Sequence, residues 1–332
     1  MSAKSTTPAA TTQEIAQHGW TAIAVDSEAI FNGKDYLHKP EPVTMDSMPF
    51  PHDDPIVHKI YQHVKAKLPT LVFNHSMRVY HFSIVILRHQ FPEFAEDLSR
   101  STIALAALLH DIGTVDEFIE STLLSFEWWG GYYSLRLLEQ HGASSQQAEA
   151  VAEAIIRHQD IGSEGTITFL GQLLQLSTIY DNMGLRPQLV DHATRSAIVA
   201  AFPRTTAGID GRQETWSGCF AATIRKENGL KPWAHTTHLG ETAFPEGVLA
   251  NGKQGLMSEF ENELSNSNGS DKEGDLGSNV ELSKGRIPDS SQLDSFLQAL
   301  SMLSIAKPVI PPDVDRSYWC LSARGCSPCV RV

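Results

Sequence analysis

The apolar run from Ile103 to Leu109 ends in the dipeptide His110-Asp111, and this junction constrains the fold more than any other part of the sequence. A run of Ile, Ala and Leu without proline or glycine predicts a buried helix. A buried carboxylate costs several kcal/mol unless it is paired with a cation or ligates one. Asp111 therefore needs a partner, and a bound divalent metal ion would provide it.

Two further residues of types that commonly ligate metals lie on the apolar faces of predicted helices. His75 heads a stripe at the spacing of one helix face, formed by Val79, Phe82 and Ile86. Asp181 lies near the end of a proline-free stretch from about Thr166 to Met183, on the face that carries Leu170, Leu174 and Ser177. Without an ion, four inward groups would leave several buried polar atoms unsatisfied. We therefore predict that His75, His110, Asp111 and Asp181 form one metal site.

A third inward histidine, His158, has more than one interpretation. Ser144 is the predicted N-cap of a helix whose apolar face continues to His158. A lone inward histidine is more often hydrogen-bonded to a backbone carbonyl than bound to a metal. The unperturbed imidazole pKa of about 6.5 also suits a group that transfers protons near neutral pH.

Three motifs carry the predicted ligands: NHSMRVYHF contains His75, ALLHDIGT contains His110 and Asp111, and IYDNMG contains Asp181. Through them the chain resembles the HD-domain superfamily of metal-dependent hydrolases. Within that superfamily it is most similar to the fungal cyanamide hydratase family, through the strings LSFEWWGG, AEAIIRHQD, CFAATIRKEN and KPWAHT. The resemblance extends from about Gly19 to Leu256.

This resemblance implies a fold, a cofactor and a reaction. The implied fold is an all-α helical bundle. The implied cofactor is one zinc ion, although iron or manganese also suits histidine and carboxylate ligands, and a second ion that uses His158 is compatible with the pattern. The implied reaction is a lyase reaction, in which a metal-bound hydroxide attacks the nitrile carbon of cyanamide to give urea.

The resemblance also suggests roles for individual residues. Asp111 or Asp181 would orient the attacking water as well as bind the ion, and His158 would transfer a proton. Asn182 is a candidate to bind the substrate amine, and Thr114 is a candidate to hydrogen-bond a ligand or the water. Both of these last residues could equally serve as helix caps.

Two other functions are compatible with the same motifs, because one scaffold can host several chemistries. The first is an HD-type phosphohydrolase that acts on a nucleotide or another phosphate ester. Phosphate binding generally needs cationic groups near the metal, and only Arg78 and Arg157 are close in sequence to the ligands. The second is a non-catalytic HD-fold binding module, which the intact ligand set disfavours.

Length and composition suggest three regions in the 332-residue chain. Residues 1–50 are predicted to form an irregular, partly disordered arm, and residues 51–256 a single HD domain. Residues 257–332 are rich in Ser, Asn, Gly and acidic side chains at their start, which predicts a disordered linker and tail. Apolar residues between Leu293 and Leu303 make a short helix possible within this tail.

Charge and cysteine content limit the partners and the compartment. The formal net charge of -13 disfavours nucleic acid and anionic membranes and suits a small neutral substrate such as cyanamide; a homo-oligomer is compatible with the sequence. The sequence has no apolar stretch of membrane-spanning length and no signal-peptide pattern, which predicts a cytoplasmic protein. The cysteines, one at Cys219 and three in the tail at Cys320, Cys326 and Cys329, indicate no disulfide framework.

Overall fold

The architecture is almost entirely helical, as a computed structural model shows for residues 11–208 and 211–262. The predicted tail helix, the three tail cysteines and all but residues 257–262 of the predicted linker and tail lie outside the described residues. Within the described ranges there are thirteen α-helices, which confirms the predicted all-α class. In chain order they are α1 Thr12–Gln17, α2 Ser27–Phe31, α3 Pro55–Lys67, α4 Thr70–Gln90, α5 Pro92–Ala95, α6 Arg100–Leu109, α7 Asp116–Ser121, α8 Phe126–Gln140, α9 Ser145–Arg157, α10 Phe169–Met183, α11 His192–Ala201, α12 Trp216–Leu230 and α13 Ala243–Lys253.

Two small antiparallel sheets join the helices. Strand β1 (Ala22–Ala24) pairs with β2 (Thr166–Thr168), with Ile23 opposite Ile167. Strand β3 (Thr205–Ala207) pairs with β4 (Gln213–Thr215), with Thr206 opposite Glu214. The first pair attaches the N-terminal segment to the start of α10, and the second leads directly into α12.

Helices α4 and α10 form the centre of the bundle. Both are buried on nearly every side, including polar residues such as His75 on α4 and Asp181 on α10. A helix buried all round lies inside a bundle rather than at its surface. Helix α4 packs against both α6 and α10, so the central pair brings His75, the end of α6 and Asp181 into one region.

The predicted helix from about Thr166 to Met183 begins three residues later, at Phe169. Residues Thr166–Thr168 pair with β1 instead, and two of the three are β-branched threonines, which fit an extended strand. The Thr168 side chain then accepts a hydrogen bond from the Gly171 backbone and caps the helix. The predicted N-cap at Ser144 is confirmed, since its side chain accepts from Gln147 N.

Helix α8 approaches the end of α6 very closely. A Cβ atom on Gly113, in the 3-10 turn Ile112–Thr114 after the His-Asp pair, would lie 2.1 Å from Phe126 O at the start of α8. On the other side of α8, a Cβ atom on Gly131 would lie 2.4 Å from a side-chain carbon of Ile156. Two glycines therefore permit the packing that fixes the start of α8 beside the His-Asp turn. Within the described residues, no helix has the length and apolar character needed to span a membrane.

Candidate metal centre

His75 presents a free ring nitrogen to the interior. Its Nδ1 donates to Asp181 Oδ2 at 2.6 Å, so the other ring nitrogen, Nε2, is the unprotonated one in the neutral ring. Burial lowers the His75 pKa to about 4, which keeps the ring neutral near pH 7. The indole of Trp216 stacks on the ring with 4.1 Å between centroids and fixes its plane.

His110 is oriented by its own helix. It is the residue that caps α6, and its Nδ1 donates to Ala107 O at 2.8 Å. Its Nε2 therefore faces inward and lies 3.1 Å from Nε2 of His75. Two lone pairs cannot face each other at this distance without a proton or a metal cation between them. Burial opposes protonation, but the neighbouring Asp111 carboxylate outweighs it and raises the pKa of His110.

Asp111 is buried without a hydrogen-bond donor on either carboxylate oxygen. Its Oδ2 lies 3.3 Å from His110 Nε2 and 3.6 Å from His75 Nε2, without hydrogen-bond geometry to either. Although burial raises its pKa, the two histidines lower it to about 2, so the group is a carboxylate near neutral pH. The three ligand atoms of His75, His110 and Asp111 all lie within 4.8 Å of one another.

This donor set fits a divalent cation. Two imidazole nitrogens and one carboxylate oxygen converge, and a buried carboxylate without donors normally has a cation as its partner. Histidine and carboxylate ligands suit zinc, iron or manganese. In the part of the chain that the structure describes, no other three histidine, cysteine or acidic side chains meet in this way.

Asp181 lies on the opposite side of the His75 ring and accepts hydrogen bonds from three side chains. Its Oδ1 accepts from Arg204 Nη1 at 2.6 Å, and its Oδ2 accepts from His75 Nδ1 and from Arg78 Nη2 at 2.8 Å. Burial alone would raise its pKa, but Arg204 and Arg78 hold the pKa well below its usual value. A carboxylate that orients a ligating histidine is a common arrangement around metals. The predicted role of Asp181 as a fourth ligand stays a prediction.

His158 caps α9 beside this group. Its Nδ1 donates to Ile155 O at 2.7 Å, and its ring centroid is 5.3 Å from that of His110. Burial, together with the charge of His110, lowers the His158 pKa, so the ring is neutral and its Nε2 is able to accept a proton. The carbonyl contact expected of a core histidine is therefore present, and it leaves the second nitrogen available for chemistry.

The two remaining candidates both make contacts that hold the site. Asn182 Oδ1 accepts from Trp216 Nε1 at 2.8 Å, and that indole is the one stacked on His75. The Thr114 hydroxyl donates to the carbonyl of Asp111 at 2.6 Å. Their predicted contacts with the substrate amine and with the water stay predictions.

Sequence reasoning did not single out a second buried polar cluster near His158. We call Glu127, Glu227, Lys231 and His235 the buried charged cluster. Burial and the charge of Glu127 raise the pKa of Glu227 to about 7. Burial opposes the protonation of His235, but the carboxylates of Asp160 and Glu127, at 3.4 Å and 3.6 Å from its ring nitrogens, raise its pKa to about 9. The one signal in the sequence was that these residues fall in the strings FEWWGG, KEN and KPWAHT, within otherwise apolar or aromatic surroundings.

Comparison with known proteins agrees with this geometry. The HD domain model matches residues 72–193, a range that contains all four predicted ligands. Two proteins of Saccharomyces cerevisiae, named cyanamide hydratase DDI2 and cyanamide hydratase DDI3, are each 40% identical to this chain over 193 residues. That alignment covers 58% of this chain and 80% of each yeast protein. The chain therefore belongs to the HD-domain superfamily, in the group that contains the yeast proteins named cyanamide hydratase.

Proposed function

We propose that this protein hydrates the nitrile of cyanamide to urea with the help of one divalent metal ion, zinc in the first instance. The observation that carries the proposal is the buried Asp111 carboxylate, which has no hydrogen-bond donor and lies close to the Nε2 atoms of His75 and His110. The choice of cyanamide as the substrate rests on the 40% identity to two proteins named cyanamide hydratase.

His75, His110 and Asp111 would hold the ion, and Asp181 would either join them or orient His75 from behind. A divalent ion held there supplies Lewis acidity, which lowers the pKa of water from 15.7 to about 7 in the best-known zinc site. The protein contributes the orientation of the two histidine ligands. The Nδ1 atoms of both histidines are fixed by hydrogen bonds, so their Nε2 atoms need no reorganisation to bind.

His158 is the proposed proton carrier. Hydration breaks both π bonds of the nitrile and both O–H bonds of water, forms a C=O double bond at the nitrile carbon and places the two water protons on the former nitrile nitrogen. His158 Nε2 can accept a proton from the water and release it to that nitrogen, because its Nδ1 stays bound to Ile155 O. The ring returns to its starting state, so the reaction needs no other proton donor.

The buried surroundings suit a small polar molecule. Several buried side-chain atoms beside the site have no hydrogen-bond partner, including both carboxylate oxygens of Glu127, Glu227 Oε2 and both amide atoms of Asn228. Buried polar groups are normally satisfied, so such a cluster is typical of a binding pocket. Cyanamide offers an amino group and a nitrile nitrogen that can pair with groups of these kinds.

The nearby cations argue against the phosphohydrolase alternative. Arg78 and Arg204 are fully buried and pair with Asp181, and Arg204 also pairs with Glu261. Arg157 pairs with Asp160 at 2.7 Å. Because these three guanidinium groups are already neutralised by carboxylates, they are poorly placed to bind a phosphate group.

The test uses the purified full chain, a His110→Ala variant and a His58→Ala control. His58 is an exposed histidine on α3, so its removal leaves the core untouched. Urea formed from cyanamide is measured together with bound metals by mass spectrometry. We expect one ion per chain and urea formation by the wild type and H58A, and loss of both in H110A. A metal-loaded wild type that forms no urea, or that releases inorganic phosphate from nucleotides, would overturn the proposal.

A further inference from the structure

Glu127 is a fully buried side chain whose two carboxylate oxygens accept no hydrogen bond. It lies in the first turn of α8, and its position is fixed on both sides. The preceding residue, Phe126, donates its backbone N–H to Glu227 Oε1 at 2.8 Å. The carbonyl oxygen of Phe126 packs against the His-Asp turn, which is possible because Gly113 has no side chain. Glu127 is therefore held in place next to the residue that contacts the His-Asp turn, and neither of its oxygens has a hydrogen-bond partner.

Each element packed around Glu127 contributes a charged or titratable group. From the 3-10 segment His235–Leu239, His235 Nδ1 lies 3.6 Å from Glu127 Oε1. From α12, the carboxylate of Glu227 is close enough to feel the charge of Glu127, but Lys231 Nζ already lies 3.3 Å from its Oε1. From α9, the His158 ring lies 5.9 Å from the ring of Phe126.

These groups satisfy Glu127 only in part. The protonated His235 lies 3.6 Å from Oε1, within ion-pair range but longer than a hydrogen bond, and Oε2 accepts no hydrogen bond at all. Glu127 is not one of the three side chains, His75, His110 and Asp111, whose ligand atoms converge. An unsatisfied buried acceptor is costly, so the Glu127 carboxylate favours a ligand that brings N–H donors to it.

We propose that Glu127 determines substrate specificity by accepting hydrogen bonds from the amino group attached to the nitrile. The inference rests on the proposed function and narrows it to nitriles that carry an N–H group. A site built to pair with a donor rejects the analogue that lacks it, because the protein group is then left unpaired in the complex. Acetonitrile is the informative analogue, since its methyl group replaces the amino group of cyanamide at nearly the same size.

The experiment compares cyanamide and acetonitrile in the metal-loaded wild type, Glu127→Gln and a Glu120→Gln control. Glu120 is exposed and pairs with Lys226 on the surface. Kinetics of urea formation give kcat and KM for cyanamide, and competition against cyanamide gives the inhibition constant of acetonitrile. Calorimetry gives the Kd of urea, which presents the same amino group, and mass spectrometry gives the metal content.

We expect E127Q to lose about 10-fold to 100-fold in kcat/KM for cyanamide, as removal of a hydrogen bond to a charged group predicts. The Kd of urea should rise in parallel, while acetonitrile inhibition and metal content stay close to the wild-type values. E120Q should match the wild type in every measurement.

Three outcomes would overturn the inference, and the first two leave the proposed function intact whereas the third does not. Urea formation by the wild type with equal losses for cyanamide and acetonitrile in E127Q, or with loss of the metal, would make Glu127 a structural residue and leave the proposed function intact. A metal-loaded wild type that forms no urea would remove the proposed function, and the inference with it.

Discussion

Replacing Asp181 with asparagine should destabilise the protein strongly, although the two side chains have nearly the same volume. The carboxylate of Asp181 neutralises two guanidinium groups, those of Arg78 and Arg204, and all three side chains are fully buried. An asparagine offers these guanidinium groups one acceptor oxygen instead of two and carries no charge. Two cations would then share the single remaining carboxylate of Glu261.

The magnitude follows from the uncompensated charge. Removal of one partner from a buried ion pair costs about 3–5 kcal/mol, because the other charge stays buried without compensation. This is a large part of the roughly 5–15 kcal/mol that stabilises a typical folded protein. At about 2–4 °C per kcal/mol for a chain of this size, the melting temperature should fall by on the order of 10 °C.

The assay is guanidinium chloride unfolding of metal-free protein at pH 7, followed by circular dichroism. The control is Asp116→Asn, which removes an ion pair with Lys226 at 2.7 Å, where Asp116 is 80% exposed. Exposed pairs contribute little, so this control should unfold at the wild-type midpoint. If D181N also unfolds within about 1 kcal/mol of the wild type, the reasoning from buried charge is refuted.

Three further predictions concern the buried charged cluster, the proposed proton carrier and the glycine at the His-Asp turn. Burial raises the pKa of Glu227 from 4.5 to about 7, so folding favours its protonated form and stability should fall as pH rises through this window. At 1.36 kcal/mol per pKa unit, the free energy of unfolding of Glu227→Gln should rise by about 3 kcal/mol relative to that of the wild type between pH 4 and pH 8. Denaturant titrations at several pH values measure this difference. The same pH dependence of stability in both proteins would contradict the assignment. His158→Ala should keep its metal and lose about 10²-fold to 10⁴-fold in kcat, whereas loss of the metal would identify His158 as a ligand. Gly113→Ala should lower the melting temperature and the metal content, because its Cβ would lie 2.1 Å from Phe126 O. In the matched Gly229→Ala the Cβ would meet no atom within 4 Å other than its chain neighbours and its own helix backbone, so this variant should be neutral or stabilising.

The helices could be predicted because their signals are local. The stripe that follows His75 and the apolar run before His110 have the helical period, and both segments are helices in the structure. The N-cap at Ser144 depends only on the next three residues, which is why it was identified correctly. The start of α10 was misplaced because residues 166–168 pair with a strand that lies more than 140 residues earlier, a contact that local periodicity does not reveal.

The candidate site was predictable only in part, for a similar reason. Inward-facing positions on separate helices indicated His75, His110 and Asp111, and the structure brings these three together. The partners of Asp181 were not predictable, since Arg204 lies outside any helix pattern and reaches it through tertiary packing. Glu127 was missed because a single acidic residue between aromatic neighbours carries no periodic signal.

The hydrogen bonds at Nδ1 of the three histidines suggest an order in which the centre assembles. His110 and His158 each bond to a carbonyl three residues earlier, so their orientation is available as soon as α6 and α9 form. His75 depends on Asp181, which is 106 residues away and is itself held by Arg204 beside β3. The last ligand is therefore set only when distant parts of the chain have docked. Metal uptake should consequently be a late event that reports the completed fold, and newly made chains would mature by capturing their ion after tertiary packing.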